Sequence, residues 1–320
     1  MSFPKGNFLL KDAAIQFVNF DNILNQSKKA REGHLTGYIE IKYPDSLEYL
    51  FLRDGSAVTA AGEKDDKFEE YPLEEIIEKA KKAHQGIVNV YQIEEDLLSI
   101  IISLFKEKPL FANLMIENIN LDSLFKKLKE LNFRGFLALN KKGKYSFVKF
   151  RKGKPDLIYP INKNKKKVNL KILIALLKNE KGMLLSAYKE RKLKEQANPA
   201  LIGLYIKFFN SLIKSFTDVV GHSFVRKTLI PAYENASMSK EVLKNFQVAD
   251  DLSISYKPFI GTDEEITIAF AIWIDQFTDG VFVVLGRKTD GIIYNSIKDY
   301  RFALKSAGFF EHSKLSRLDI

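Results

Sequence analysis

Four histidines are the only imidazoles in this 320-residue chain, and they stand far apart, as His34, His84, His222 and His312. Shared metal ligation needs paired spacings such as H-x-H, H-x-x-x-H or H-E-x-x-H, and none occurs. There is no cysteine, which excludes disulfides, Cys-ligated zinc, iron–sulfur clusters and thiol nucleophiles. No G-x-S-x-G elbow strains a serine into a nucleophile, and Ser223, next to His222, falls in a helical pattern. No glycine-rich loop has the spacing that cradles phosphates. The acidic pairs Asp65-Asp66, Glu69-Glu70 and Glu74-Glu75 lie in or beside polar connectors and read as solvated surface. Carboxylates that converge only in the fold are the one catalytic device this level of reading misses. The expectation is a non-enzymatic protein without a cofactor.

Charge is the feature with direction. The net charge is +10, yet residues 1–120 carry −6, residues 121–198 carry +16 and residues 199–320 carry 0. One middle segment is basic, and such a segment attracts an acidic partner. Within it, Lys141, Lys142, Lys144, Lys163, Lys165, Lys166 and Lys167 form the candidate anion- or partner-binding patch. In an up-down-up meander they gather at one end, with Arg151, Lys152 and Lys154 about 20 Å away at the other. Tyr145 and Phe147 share a strand face with Lys149, the pairing of base-stacking aromatics with cations that nucleic-acid modules use. A half-buried sheet explains the same pattern. A third use of the asymmetry is mutual attraction between the acidic and the basic segment.

The elements that must carry these residues repeat. Gly37 to Gly55 spans 18 residues, as does Gly135 to Gly153; Gly55 to Gly86 spans 31, against 29 for Gly153 to Gly182. Each copy reads as helix, three-stranded meander, helix and strand, with glycines where turns and helix ends need positive φ. The predicted fold is α+β: two tandem modules, each a small antiparallel sheet plus helices, followed by a mainly helical domain. The boundaries are 1–118, 119–196 and 197–320.

The run Gly37-Tyr38-Ile39-Glu40-Ile41, followed by Tyr49-Leu50-Phe51-Leu52-Arg53-Asp54-Gly55-Ser56-Ala57-Val58-Thr59-Ala60, resembles a bacterial domain of unknown function. That domain stands at the N-terminus of PatA-type response regulators and in other signalling proteins. The second copy keeps Phe150-Arg151-Lys152-Gly153 but has Pro155-Asp156 where small residues should follow. The resemblance implies a non-catalytic interaction module, with no catalytic residues to carry over.

Beyond the polar connector Arg191–Gln196, Asn198-Pro199 suits a helix start, and Thr262 with Glu265 fits a capping box. Tyr205, Phe208, Phe209, Leu212, Ile213 and Phe216 form one helical stripe, and Ile266, Phe270, Trp273, Ile274 and Phe277 a second, in step at an offset of 61. These stripes read as core and suggest a diverged duplication of a helical hairpin. Ile206, Ile268 and Ile272, off the stripes, point to burial on a second side, as in a homodimer through these helices.

Lys5, Lys11 and Asp12 break the N-terminal apolar stretch, so a signal peptide is not expected, and Leu97 to Phe105 is too short to span a membrane. The function expected is cytoplasmic protein interaction or scaffolding in signalling or complex assembly, with an unidentified protein partner. The alternative is sequence-independent nucleic-acid binding through the lysine-rich loops.

Overall fold

Three two-residue hairpins set the register of the first 190 residues. Asp54-Gly55, Lys142-Gly143 and Lys152-Gly153 all have positive φ at both positions. The type I′ turn needs this, because its twist matches that of the flanking strands. A computed structural model of the chain describes residues 1–27, 35–64, 67–161 and 164–318. It divides into two compact units, residues 1–71 with 75–194, and residues 72–74 with 195–320.

The first unit begins with β1 (Asn7–Ala14), a 3₁₀ turn (Ile15–Phe17) and α1 (Phe20–Ser27). The strands β2 (Gly37–Lys42), β3 (Leu47–Arg53), β4 (Ser56–Lys64) and β5 (Lys67–Tyr71) follow, then α2 (Leu73–Lys82) and β6 (Ile87–Gln92). After α3 (Glu95–Lys106) the series returns: β7 (Phe111–Met115), a 3₁₀ turn (Ile116–Asn118) and α4 (Leu121–Glu130). It continues with β8 (Gly135–Lys141), β9 (Lys144–Arg151), β10 (Lys154–Tyr159), β11 (Lys166–Lys167), α5 (Leu170–Lys178) and β12 (Leu184–Lys189).

The two sheets are antiparallel, in the orders β1-β6-β2-β3-β4-β5 and β7-β12-β8-β9-β10-β11. They match strand for strand. The duplication extends to a detail that glycine spacing does not show. Asp12 on β1 and Asn113 on β7 both adopt left-handed φ, near 50°. The backbone N–H of each donates to a buried side chain of the neighbouring strand, Asn89 at 2.7 Å and Ser186 at 2.9 Å. Neither strand shows a period-2 signal in its sequence, because NFLLKDAA and FANLM bulge out of alternation. Glu69-Glu70, read as a polar connector, belongs to β5, where Glu70 accepts from Thr59 and pairs with Lys106.

In each sheet one face is mainly aliphatic and the other is rich in aromatics. Leu137, Leu139, Val148, Phe150 and Leu185 pack under α4 and α5. The opposite faces contribute Tyr38, Tyr49, Phe51 and Tyr91 from the first sheet, and Phe136, Phe147, Tyr159 and Tyr188 from the second, to one shared core. Phe3 joins them, with ring centroids 5.2 Å from Tyr49, 5.4 Å from Phe68 and 5.9 Å from Tyr145. The helix α3 is mostly apolar, and Leu97, Leu98, Ile100, Ile101 and Ile102 are buried, while Asp96, Ser99 and Ser103 form a narrow polar side. It lies against β2, β3 and β5, while its Asp96 reaches Lys149 on β9.

The second unit holds α6 (Pro199–Val220), α7 (His222–Ser239), a hairpin of β13 (Phe246–Val248) and β14 (Ile254–Tyr256), then α8 (Asp263–Leu285), α9 (Lys288–Ile297), α10 (Arg301–Ser306) and α11 (Phe309–His312). Asn198 caps α6, and the Thr262–Glu265 capping box opens α8. The two stripes meet: Tyr205 stacks on Phe270 at 5.2 Å, while Phe209 meets Trp273 at 4.8 Å and Phe216 meets Phe277 at 5.7 Å edge to face. The contact partners follow in the same order along α6 and α8, so the two helices run parallel. Ile206, Ile268 and Ile272 are half-buried. By length and composition α8 could cross a membrane, a property hidden in the sequence by its scattered acids. In this fold its apolar residues from Ile266 to Val281 fill the core of the unit.

Candidate functional site

The patch lysines lie along one end of the second sheet. Lys141 ends β8 and pairs with Glu180 at 2.7 Å. Lys142 sits in the hairpin turn, and Lys144 opens β9, where Ser2 forms a parallel bridge with it. Lys165 pairs with Glu94 at the entrance to α3. Lys166 and Lys167 form β11, opposite Ile158 and Leu157. Lys163, like His34 and Asp65-Asp66, lies outside the described residues. Across the sheet Arg151 pairs with Asp156 at 2.9 Å. So Lys141 and Lys165 are drawn to carboxylates, whereas Lys142, Lys144, Lys166 and Lys167 are exposed and make no ion pair among the described residues.

The face carrying Tyr145, Phe147 and Lys149 points inward. Phe147 is fully buried in the core between the sheets, and Tyr145 packs against it. Lys149, 7% exposed, pairs with Asp96 at 2.8 Å and lies 3.7 Å from Glu190. By strand register it occupies the position of Phe51 in the first sheet. There an aromatic meets the apolar side of α3; here a cation meets the polar side, with Ser99 and Ser103 close by. Ion pairs Lys149–Asp96 and Lys165–Glu94 thus join the basic second half to the acidic first half.

At the lysine end the two halves leave a cavity of about 580 Å³ between them. One wall is the segment Pro4–Asn7 with Gln92 and Ile93; the other is Tyr159 and Pro160 with Asn164 and Lys165. Glu94 and Leu97, at the start of α3, close the end. Gly6 makes the first wall possible, since a side chain there would collide with the Gln92 carbonyl oxygen, 1.8 Å from an ideal Cβ. Tyr159 is 4% exposed, and its buried hydroxyl has no hydrogen-bond partner among the described residues. Burial first, then the nearby carboxylates of Asp96 and Glu94, push its acidity well below that of an ordinary phenol. Most of these lining residues escaped the sequence reading, because the walls come from segments more than 60 residues apart. Gly6, outside any turn motif, was the available hint.

Residues 1–105 match the model of a family described as "Uncharacterized protein conserved in archaea (DUF2226)". The match covers the first sheet, its helices and nearly all of α3. No curated protein and no solved structure matches the chain. The family match overturns the tandem resemblance to the bacterial PatA-type domain. The residues that suggested it, Tyr49 to Ala60, form a strand, a type I′ turn and a strand. Any hairpin of that geometry favours Asp-Gly at its tip, so the motif reports a turn and no ancestry.

His222 Nε2 lies 3.0 Å from the Asp250 carbonyl oxygen, and Ser223 follows it in the first turn of α7. Among the described residues no three His, Asp or Glu side chains come together as metal ligands.

Proposed function

We propose that this chain is a non-catalytic interaction protein, working in signalling or complex assembly inside the cell. In this reading the twin-sheet unit is a platform that offers the lysine end of its second sheet to an acidic protein partner. The observation that carries the reading is the division among the lysines. Lys141, Lys149 and Lys165 are ion-paired within the unit, while Lys142, Lys144, Lys166 and Lys167 stay exposed at the same end. A folded unit that satisfies some cations and leaves four others on one edge keeps a field for an outside anion. The inward turn of Tyr145 and Phe147 favours a protein over nucleic acid, since base stacking needs exposed rings.

The test is fluorescence anisotropy with a labelled poly-glutamate peptide and a labelled single-stranded oligonucleotide of equal charge. The protein is wild type or has Lys142, Lys144, Lys166 and Lys167 all changed to Glu. Expected is peptide binding that weakens with salt and disappears in the variant. Tighter binding of the oligonucleotide, with a steep salt dependence, would replace the reading with the nucleic-acid one. Binding of neither probe refutes both. Self-association through the second unit belongs to the same reading. Val219, Val283 and Val284, at 56%, 84% and 58% exposure, offer an apolar surface for it, and sedimentation velocity of Val283→Glu against wild type decides the point.

A further inference from the structure

We propose that the cavity between the two sheets is a binding site for one small organic anion, a carboxylate or phosphate monoester with an apolar body. Its volume of about 580 Å³ lies in the usual range of small-molecule sites. Three features define the anionic end. Lys5 and Lys165 line it. The 12-residue helix α3 starts there, and its cap residue Glu94 gives no side-chain hydrogen bond to the first turn. The N–H groups of such a turn carry partial positive charge and favour an oxygen acceptor.

The nearby carboxylates are each ion-paired. Glu94 pairs with Lys165, Glu95 with Arg53 at 2.8 Å and Asp96 with Lys149 at 2.8 Å. Glu95 and Asp96 stand in the first turn of α3, but the Glu94 side chain makes no cap hydrogen bond to it. A ligand anion would take that place and share Lys165 with Glu94.

Tyr159 supplies the second, independent sign. Tyr159 lines the cavity and its buried hydroxyl has no hydrogen-bond partner among the described residues, so a ligand acceptor that reaches it would satisfy a buried donor. Pro4, Ile93, Leu97 and Pro160 give the apolar remainder of the lining, suited to the body of the ligand. This site is independent of the platform reading, which uses Lys142, Lys144, Lys166 and Lys167.

The experiment titrates the full chain with 1-anilinonaphthalene-8-sulfonate, an organic anion with an apolar body, followed by fluorescence. Expected is one saturable site, weakened about tenfold in Lys165→Glu, which removes a charge-assisted contact. Tyr159→Phe, which keeps the ring and the packing, should weaken binding about threefold. Lys126→Glu, at an exposed position of α4, should leave it unchanged, and equal urea midpoints show that the variants fold. Displacement by phenyl phosphate against phenylacetate tells which anion fits, and benzyl alcohol should not displace the dye. Absence of a saturable site overturns the proposal. So does dye binding that is the same in wild type, Lys165→Glu and Tyr159→Phe, or displacement by benzyl alcohol as strong as by the anions.

Discussion

Replacing Phe3 by Ala should cost the first unit about 3–5 kcal/mol, the usual loss for a buried Phe→Ala change. Phe3 is 2% exposed, and its ring meets Tyr38, Tyr49 and Phe68 of the first half and Tyr145 of the second. The hole would open where the two sheets share their core, between β-strands that cannot move together without breaking ladders. Little relaxation should therefore offset the loss. The neighbouring backbone reinforces the site: the Ser2 N–H donates to the Gly143 carbonyl at 2.9 Å, and the Tyr145 N–H donates to the Ser2 carbonyl at 2.9 Å. With a urea m-value of about 3 kcal/mol/M for a unit of this size, the midpoint should fall by about 1–1.7 M. Near-UV circular dichroism of the tyrosines follows this core, while emission of Trp273, the one tryptophan, follows the core of the second unit. Phe17→Ala, at a site 82% exposed, is the control and should shift the midpoint by less than about 0.2 M. Equal midpoints for the two variants would refute the shared aromatic core as the link between the sheets.

Three further outcomes follow from individual contacts. Lys149→Met should change stability by no more than about 1 kcal/mol, since Asp96 and Glu190 reach water on their own and the first sheet already holds Phe51 there. Lys149→Glu sets a third carboxylate against those two and should cost several times more; equal urea midpoints for the pair would contradict the ion-pair assignment. Lys142→Asn and Lys152→Asn, at φ of 53° and 49°, should each stabilise by about 0.5–1 kcal/mol, because Asn adopts left-handed φ more readily than Lys. Calorimetric melting temperatures measure this, and a fall in either one argues against the type I′ turns. Burial raises the Asp275 carboxyl above its ordinary value of 3.8, although it accepts from Ser313 and the Lys314 N–H. An acid with a raised native pKa binds its proton more tightly when folded, so its stabilising contribution is present at low pH and falls as pH climbs from 3.8 through the raised value. Asp275→Asn should flatten that decline when urea midpoints from Trp273 emission are compared at pH 4 and pH 7, and an unchanged slope would count against the assignment.

Local rules made much of the fold legible. Asp54-Gly55, Lys142-Gly143 and Lys152-Gly153 announce their hairpins because only certain residues tolerate positive φ, and the repeated glycine spacing exposed the tandem modules. Asn198, Thr262 and Glu265 announce helix starts because a free N–H needs a nearby side-chain acceptor. Period-3.6 stripes placed Tyr205, Phe209 and Phe216 in a core. All of these depend on neighbours within a few residues, so sequence determined them alone.

Other properties belong to contacts between distant segments. The strands β1 and β7 bulge at Asp12 and Asn113, and their pairing depends on Asn89 and Ser186, more than 70 residues away. The lysine patch was visible as composition, but which lysines stay free was decided by Glu180 and Glu94, brought up by the fold. The strand face of Tyr145, Phe147 and Lys149 fitted a base-stacking surface or a half-buried sheet, and the fold makes Lys149 a buried partner of Asp96. The cavity around Tyr159 exists only because two copies of one sheet turn their aromatic faces toward each other. A repeat can be counted along a chain, whereas the space two repeats enclose is set by how their side chains pack.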